Sequence, residues 1–126
     1  MRTTLVIAAA GALGAASRHL LESFVNRHWG DAFPWGTFVV NVSGSFVLGA
    51  LVGLFAHRLD VPLWLQAAAT VGFLGAYTTF STYAWDSAQL LLQGSPTRAA
   101  ANLLGSVLLA MLGVTAGIVL ARQIHG

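Results

Sequence analysis

Four long apolar stretches divide the chain, at 4–21, 33–56, 61–92 and 99–121, and short polar runs at Asn26–Asp31, His57–Asp60 and Gln93–Arg98 separate them. A helix needs about 20 apolar residues to cross a hydrocarbon core about 30 Å thick. The pattern therefore predicts four crossings and an all-α integral membrane protein, organised as one four-helix domain over 1–126. Trp29, Trp35, Trp64 and Trp85 fall near the ends of these stretches, where amphipathic rings sit at headgroup level. Arg2 followed by an apolar run has the outline of a signal peptide, but three more such runs and no polar domain follow it, so it reads as a retained first helix.

The third stretch is too long for one straight crossing, since residues 61–92 as a helix would extend about 48 Å at ~1.5 Å per residue. It contains a site for interruption: Gly72-Phe-Leu-Gly75-Ala-Tyr-Thr78-Thr79-Phe80-Ser81-Thr82-Tyr83, rich in glycine, hydroxyl and aromatic residues. Counted at helical rise from Pro62, this run begins about 15 Å into the membrane. A break is therefore expected near the midplane. Unwound backbone at that depth must be buried in protein or line a polar cavity, and its freed carbonyls are ready cation ligands.

Composition narrows the function classes. The chain is 56% hydrophobic and 8% charged, with a net charge of +2 and no cysteine. Disulfides, thiolate metal sites and cysteine nucleophiles are excluded, and the dispersed charge gives no footprint for nucleic acid. No deep carboxylate pair, His/Glu metal cluster or serine nucleophile motif is found, so an intramembrane enzyme is not expected. With four crossings, Arg2, Arg58 and Arg122 lie on one side and Arg18, Arg27 and Arg98 on the other. This even count gives no preferred orientation under the positive-inside rule and predicts insertion in both directions as an antiparallel homodimer.

The polar residues inside the apolar stretches supply candidate chemistry. Thr37, Asn41 and Ser45 recur at i, i+4 and i+8 and so form one stripe along the second helix. The neutral Asn41 amide offers donors to an anion that must bind and then leave, or it joins helices by an interhelical hydrogen bond. Asn102 and Ser106 repeat the i, i+4 spacing on the fourth helix, so that two polar stripes suggest a lined path. Phe80 and Tyr83 flank Ser81 and Thr82, and rings presented edge-on solvate a dehydrated anion, although packing is their commoner use. Arg18 serves either a positive vestibule or the headgroup region by snorkelling. Gly49 with Gly53, and Gly113 with Gly117, have the spacing of close helix contacts.

Three motifs together resemble those of the CrcB/Fluc family of fluoride channels: Gly11-Ala-Leu-Gly14-Ala-Ala-Ser-Arg18, Trp35-Gly36-Thr37-Phe-Val-Val-Asn41-Val-Ser-Gly44, and Gly72-Phe-Leu-Gly75 through Thr78-Thr79-Phe80-Ser81-Thr82-Tyr83. The resemblance covers all four stretches. It implies a dual-topology homodimer in a bacterial plasma membrane, with two antiparallel pores for passive fluoride efflux and fluoride resistance. It also implies a structural sodium ion held by backbone carbonyls of Gly75 and Thr78 from both subunits. Carried over by position, the pore residues are Phe80, Tyr83, Asn41, Ser81, Thr82, Thr37 and Ser106, with Arg18 in the vestibule. Tyr83 stands where the family commonly has phenylalanine, and Asn102 where an aromatic is usual. The competing reading, a small multidrug resistance type proton-coupled exporter, needs a carboxylate deep in the first helix, whereas Glu22 lies at its end.

Overall fold

The computed structural model describes residues 1–58 and 60–125; Leu59, in the second polar connector, and Gly126 lie outside the described residues. Its elements are helices α1 (Arg2–Trp29), α2 (Trp35–His57), α3 (Leu63–Ala67), α4 (Gly75–Tyr77), α5 (Phe80–Leu92) and α6 (Pro96–His125), with a π-helical stretch, Ala68–Leu74, joining α3 to α4. No strand occurs among the described residues. Three single helices are long and apolar enough to cross a membrane: Arg2–Trp29, Trp35–His57 and Pro96–Ile124. The third apolar stretch is two half-helical segments, 63–77 and 80–92, that meet at Thr78–Thr79, midway along it.

The helices overrun the polar boundaries. α1 has 28 residues, about 42 Å at ~1.5 Å per residue, and continues through Arg18, Glu22 and Arg27 to Trp29. The first connector is therefore largely helical, because polarity alone does not stop a helix whose backbone is already paired. What stops it is Gly30 at φ 84. The Asn26 side chain then accepts the Gly36 N–H at 2.9 Å and ties the end of α1 to the start of α2. Edge-on packing of Trp29 on Trp35, centroids 5.4 Å apart, closes the same corner. α5 ends in a Schellman turn, with Gly94 at φ 77, its N–H on the Leu91 carbonyl and the Ser95 N–H on the Leu90 carbonyl. Pro96 then opens α6 at a position where its missing N–H costs nothing.

α2 packs most extensively along α6, while α1 lies against the π-helical stretch and α5 against α6. Between α2 and α6 the backbones touch: a Cβ on Gly49 would run into the Val114 carbonyl, and one on Gly117 into the Phe46 carbonyl. Lipid offers a helix no hydrophobic reason to leave it, so close backbone packing of this kind holds membrane helices together. Large apolar side chains such as Leu13, Leu20, Leu104 and Leu108 face outward, as a bilayer allows.

Candidate functional site

The break is made by side chains that take over backbone hydrogen bonds. Thr78 (φ −84, ψ 155) and Thr79 (φ −148, ψ 114) are extended between α4 and α5. The Asn41 amide pairs with Thr79 in both senses: Oδ1 accepts the Thr79 N–H at 2.8 Å, and Nδ2 donates to the Thr79 carbonyl at 3.0 Å. One side chain of α2 thus stands in for the peptide neighbour that a continuous helix would supply. Thr79 also caps α5, its Oγ1 accepting the Thr82 N–H at 3.3 Å. Because the Thr79 and Thr82 N–H groups are turned to these side chains, the carbonyls of Gly75 and Thr78 lose the i+4 donors of a continuous helix. Gly44 on α2 makes room for the break, since a Cβ there would strike Thr78 Cγ2.

Two cavities flank the break. A groove of 290 Å³ is lined by Asn41, Ser45, Gly75, Thr78, Phe80, Tyr83 and Ser106 among others. A second cavity of 350 Å³ is lined by Thr37, Thr82, Glu22, Asp86, Asn26 and Gln89, with others. The Thr37, Asn41 and Ser45 stripe of α2 therefore runs from one cavity into the other, and the first turn of α5 contributes to both. Ser81 is exposed on α5. Arg18 lines neither cavity; it lies one turn before Glu22 on α1 and acts electrostatically on that carboxylate. Phe80 is 80% exposed on the single chain, with its ring centroid 5.5 Å from that of Tyr83.

Each hydroxyl has one proton to give, and in the groove every one is turned inward. Ser45 donates to the Asn41 carbonyl (2.7 Å), Thr70 to Gln66 (2.8 Å), Thr78 to Leu74 (3.0 Å) and Tyr83 to Leu103 (2.7 Å). Thr79 donates to Thr82 Oγ1 (3.1 Å), and Ser106 to Asn102 Oδ1 (3.1 Å). The groove therefore presents lone pairs and freed carbonyls, and the Asn41 amide that lines it has one proton beyond the one given to Thr79. The Thr82 hydroxyl accepts from Thr79 and keeps its own proton, and Ser81 has no partner among the described residues. Free donors thus gather on the first turn of α5. Both polar stripes contribute less to a donor-lined path than their spacing suggests, because helical spacing gives the face of a hydroxyl and not the direction of its proton.

Ser87 and Asn102 form a buried layer between α5 and α6 that spacing did not single out as a unit. Asn102 Nδ2 donates to Ser87 Oγ at 2.9 Å, and Ser87 donates to the Tyr83 carbonyl at 2.8 Å. The signal that identifies them is composition, since buried polar side chains on facing helices must find each other.

Comparison with known proteins agrees with this architecture. The family model described as CrcB-like protein, Camphor Resistance (CrcB), matches residues 5–118. A fluoride-specific ion channel FluC of Magnetococcus marinus is 46% identical over 118 residues, covering 94% of this chain and 96% of that protein. Its namesake in Geobacter sulfurreducens is 42% identical over 124 residues, covering 98% and 100%. One from Nitrobacter winogradskyi is 42% identical over 120 residues, covering 95% of each. The chain belongs to the CrcB-like family.

Proposed function

From this membership we propose that the chain is a fluoride-specific channel, a passive conductor and not an enzyme, working in a bacterial plasma membrane as an antiparallel pair of copies. The observation that carries the reading is the continuity of the α2 stripe between the two cavities at the point where the chain is extended between α4 and α5. Fluoride is small and strongly hydrated, so it leaves water only where compact donors replace its shell. The Asn41 amide, the Thr82 and Ser81 hydroxyls and the positive N-terminal end of the 13-residue helix α5 supply them. The Phe80 and Tyr83 rings beside them offer positive edges to the ion.

The groove has the opposite polarity and suits a cation. Its freed Gly75 and Thr78 carbonyls are hard oxygen donors, appropriate to sodium. Gly75 and Phe80 are exposed on one chain, so a second, inverted copy laid over the groove would cover both and bring a matching set of carbonyls to the ion. The even arginine count fits insertion in either direction. A fixed cation at the centre would also lower the electrostatic cost of bringing an anion to midplane.

The test is anion release from liposomes containing the purified protein. Fluoride release without chloride release is expected; loss of both anions at equal rates, or of neither, rejects the proposal.

A further inference from the structure

Ser106 differs from the other groove hydroxyls in what holds its proton. Ser45, Thr70, Thr78 and Tyr83 donate to backbone carbonyls, and Thr79 to its own cap partner, so their orientation is set by the fold. The Ser106 proton goes to a side-chain amide, that of Asn102, and an amide has two ends.

A chain of hydrogen bonds decides which end faces Ser106. The Tyr83 carbonyl can only accept, so Ser87, 2.8 Å away, gives it its single proton. Ser87 is then an acceptor toward Asn102, which must turn Nδ2 to it, at 2.9 Å. Oδ1 is left facing Ser106, which has to donate, at 3.1 Å. Asn102 is 1% exposed and Ser87 3% exposed, so this layer is shielded from bulk water, whereas Ser106 lines the groove. With its proton turned inward, Ser106 shows the groove lone pairs alone.

We infer that Asn102 is a positioning residue: by accepting the Ser106 proton it makes the α6 wall of the groove an acceptor surface, which holds water or a cation and turns a bare anion toward α5. This rests on the channel reading above. Asn102 touches no ion; it acts through Ser106. The consequence is that the Ser106 hydroxyl meets the groove through its lone pairs as the chain stands, and through its proton once the Asn102 amide is free to turn. Ser87→Ala frees it without altering a groove residue, because Nδ2 loses its acceptor and can face Ser106, which then accepts and points its own proton into the groove.

The experiment is a double-mutant cycle on fluoride release from liposomes, with side-chain amide and carbonyl NMR of Asn102 in the full-length protein. Ser106→Ala removes lone pairs from the groove wall in the parent and a proton donor in the Ser87→Ala background, so its effect on release is expected to differ between the two. The two effects are expected to differ by about fivefold or more, the size of a typical coupling between networked residues. In the spectra, Ser106→Ala is expected to shift the Asn102 side-chain carbon, and Ser87→Ala its side-chain nitrogen. An effect of Ser106→Ala that is equal in both backgrounds, or the reversed pattern of NMR shifts, overturns the inference. A parent chain that releases no fluoride rejects the channel reading and with it the role in anion passage, while the NMR shifts still report separately on the hydrogen-bond directions. Should Ser87→Ala fail to fold, Ser87→Cys, whose thiol is a weaker acceptor, replaces it in the cycle.

Discussion

Asn41 shows how one side chain can hold the fold and, on the proposed reading, also meet the ion. Its Oδ1 and one Nδ2 proton hold Thr79 in the extended conformation that interrupts the helix, and the residue also lines the groove. Asn41→Asp keeps the shape, but sets a carboxylate oxygen against the Thr79 carbonyl and places negative charge on the path. A buried acceptor left without a donor costs about 1–3 kcal/mol, so a lower thermal midpoint is expected by denaturation in detergent. Fluoride release is expected to fall at least about tenfold, the factor that 1.4 kcal/mol of added barrier gives. Undiminished release by Asn41→Asp would remove Asn41 from the path. Sequence spacing identified this residue and its stripe and left open whether it meets an ion or joins helices. The partner, Thr79, lies 38 residues away, a distance over which helical periodicity carries no information.

At the scale of elements, the interruption was legible because glycine and hydroxyl residues in an aliphatic run are poor helix material and good backbone substitutes, as the Thr79 cap shows. Two features were not legible. The π-helical stretch Ala68–Leu74 is apolar throughout except for Thr70, and its sequence favours i→i+4 as readily as i→i+5 pairing. The length of α1 was underestimated because an apolar count ends at Leu21, whereas the backbone ladder continues until Gly30. The break itself yields a prediction about ions. If sodium occupies the Gly75 and Thr78 carbonyls, exchanging all sodium for a bulky organic cation during purification should lower fluoride release and shift the protein toward monomer in size-exclusion chromatography. Unaltered release and elution after exhaustive exchange would mean that these carbonyls hold no required cation.

For the whole molecule, the exposed Phe80 and the groove are the surfaces that the proposed antiparallel pair would cover. The arginine balance, Arg2, Arg58 and Arg122 against Arg18, Arg27 and Arg98, predicts that orientation can be tipped by few charges. Arg27→Gln with Arg98→Gln biases insertion one way, and Arg2→Gln with Arg58→Gln the other. Each biased chain alone is expected to leave cells sensitive to fluoride, and co-expression of the two to restore resistance; full resistance from either alone would argue against an antiparallel pair. The central claim, passive and fluoride-selective conduction, is tested most directly by the reversal potential of the purified protein in a planar bilayer with fluoride on one side and chloride on the other. The current should reverse only at a voltage strongly favouring fluoride, beyond what equal permeabilities allow. A reversal at zero, or one that follows chloride, would contradict the account.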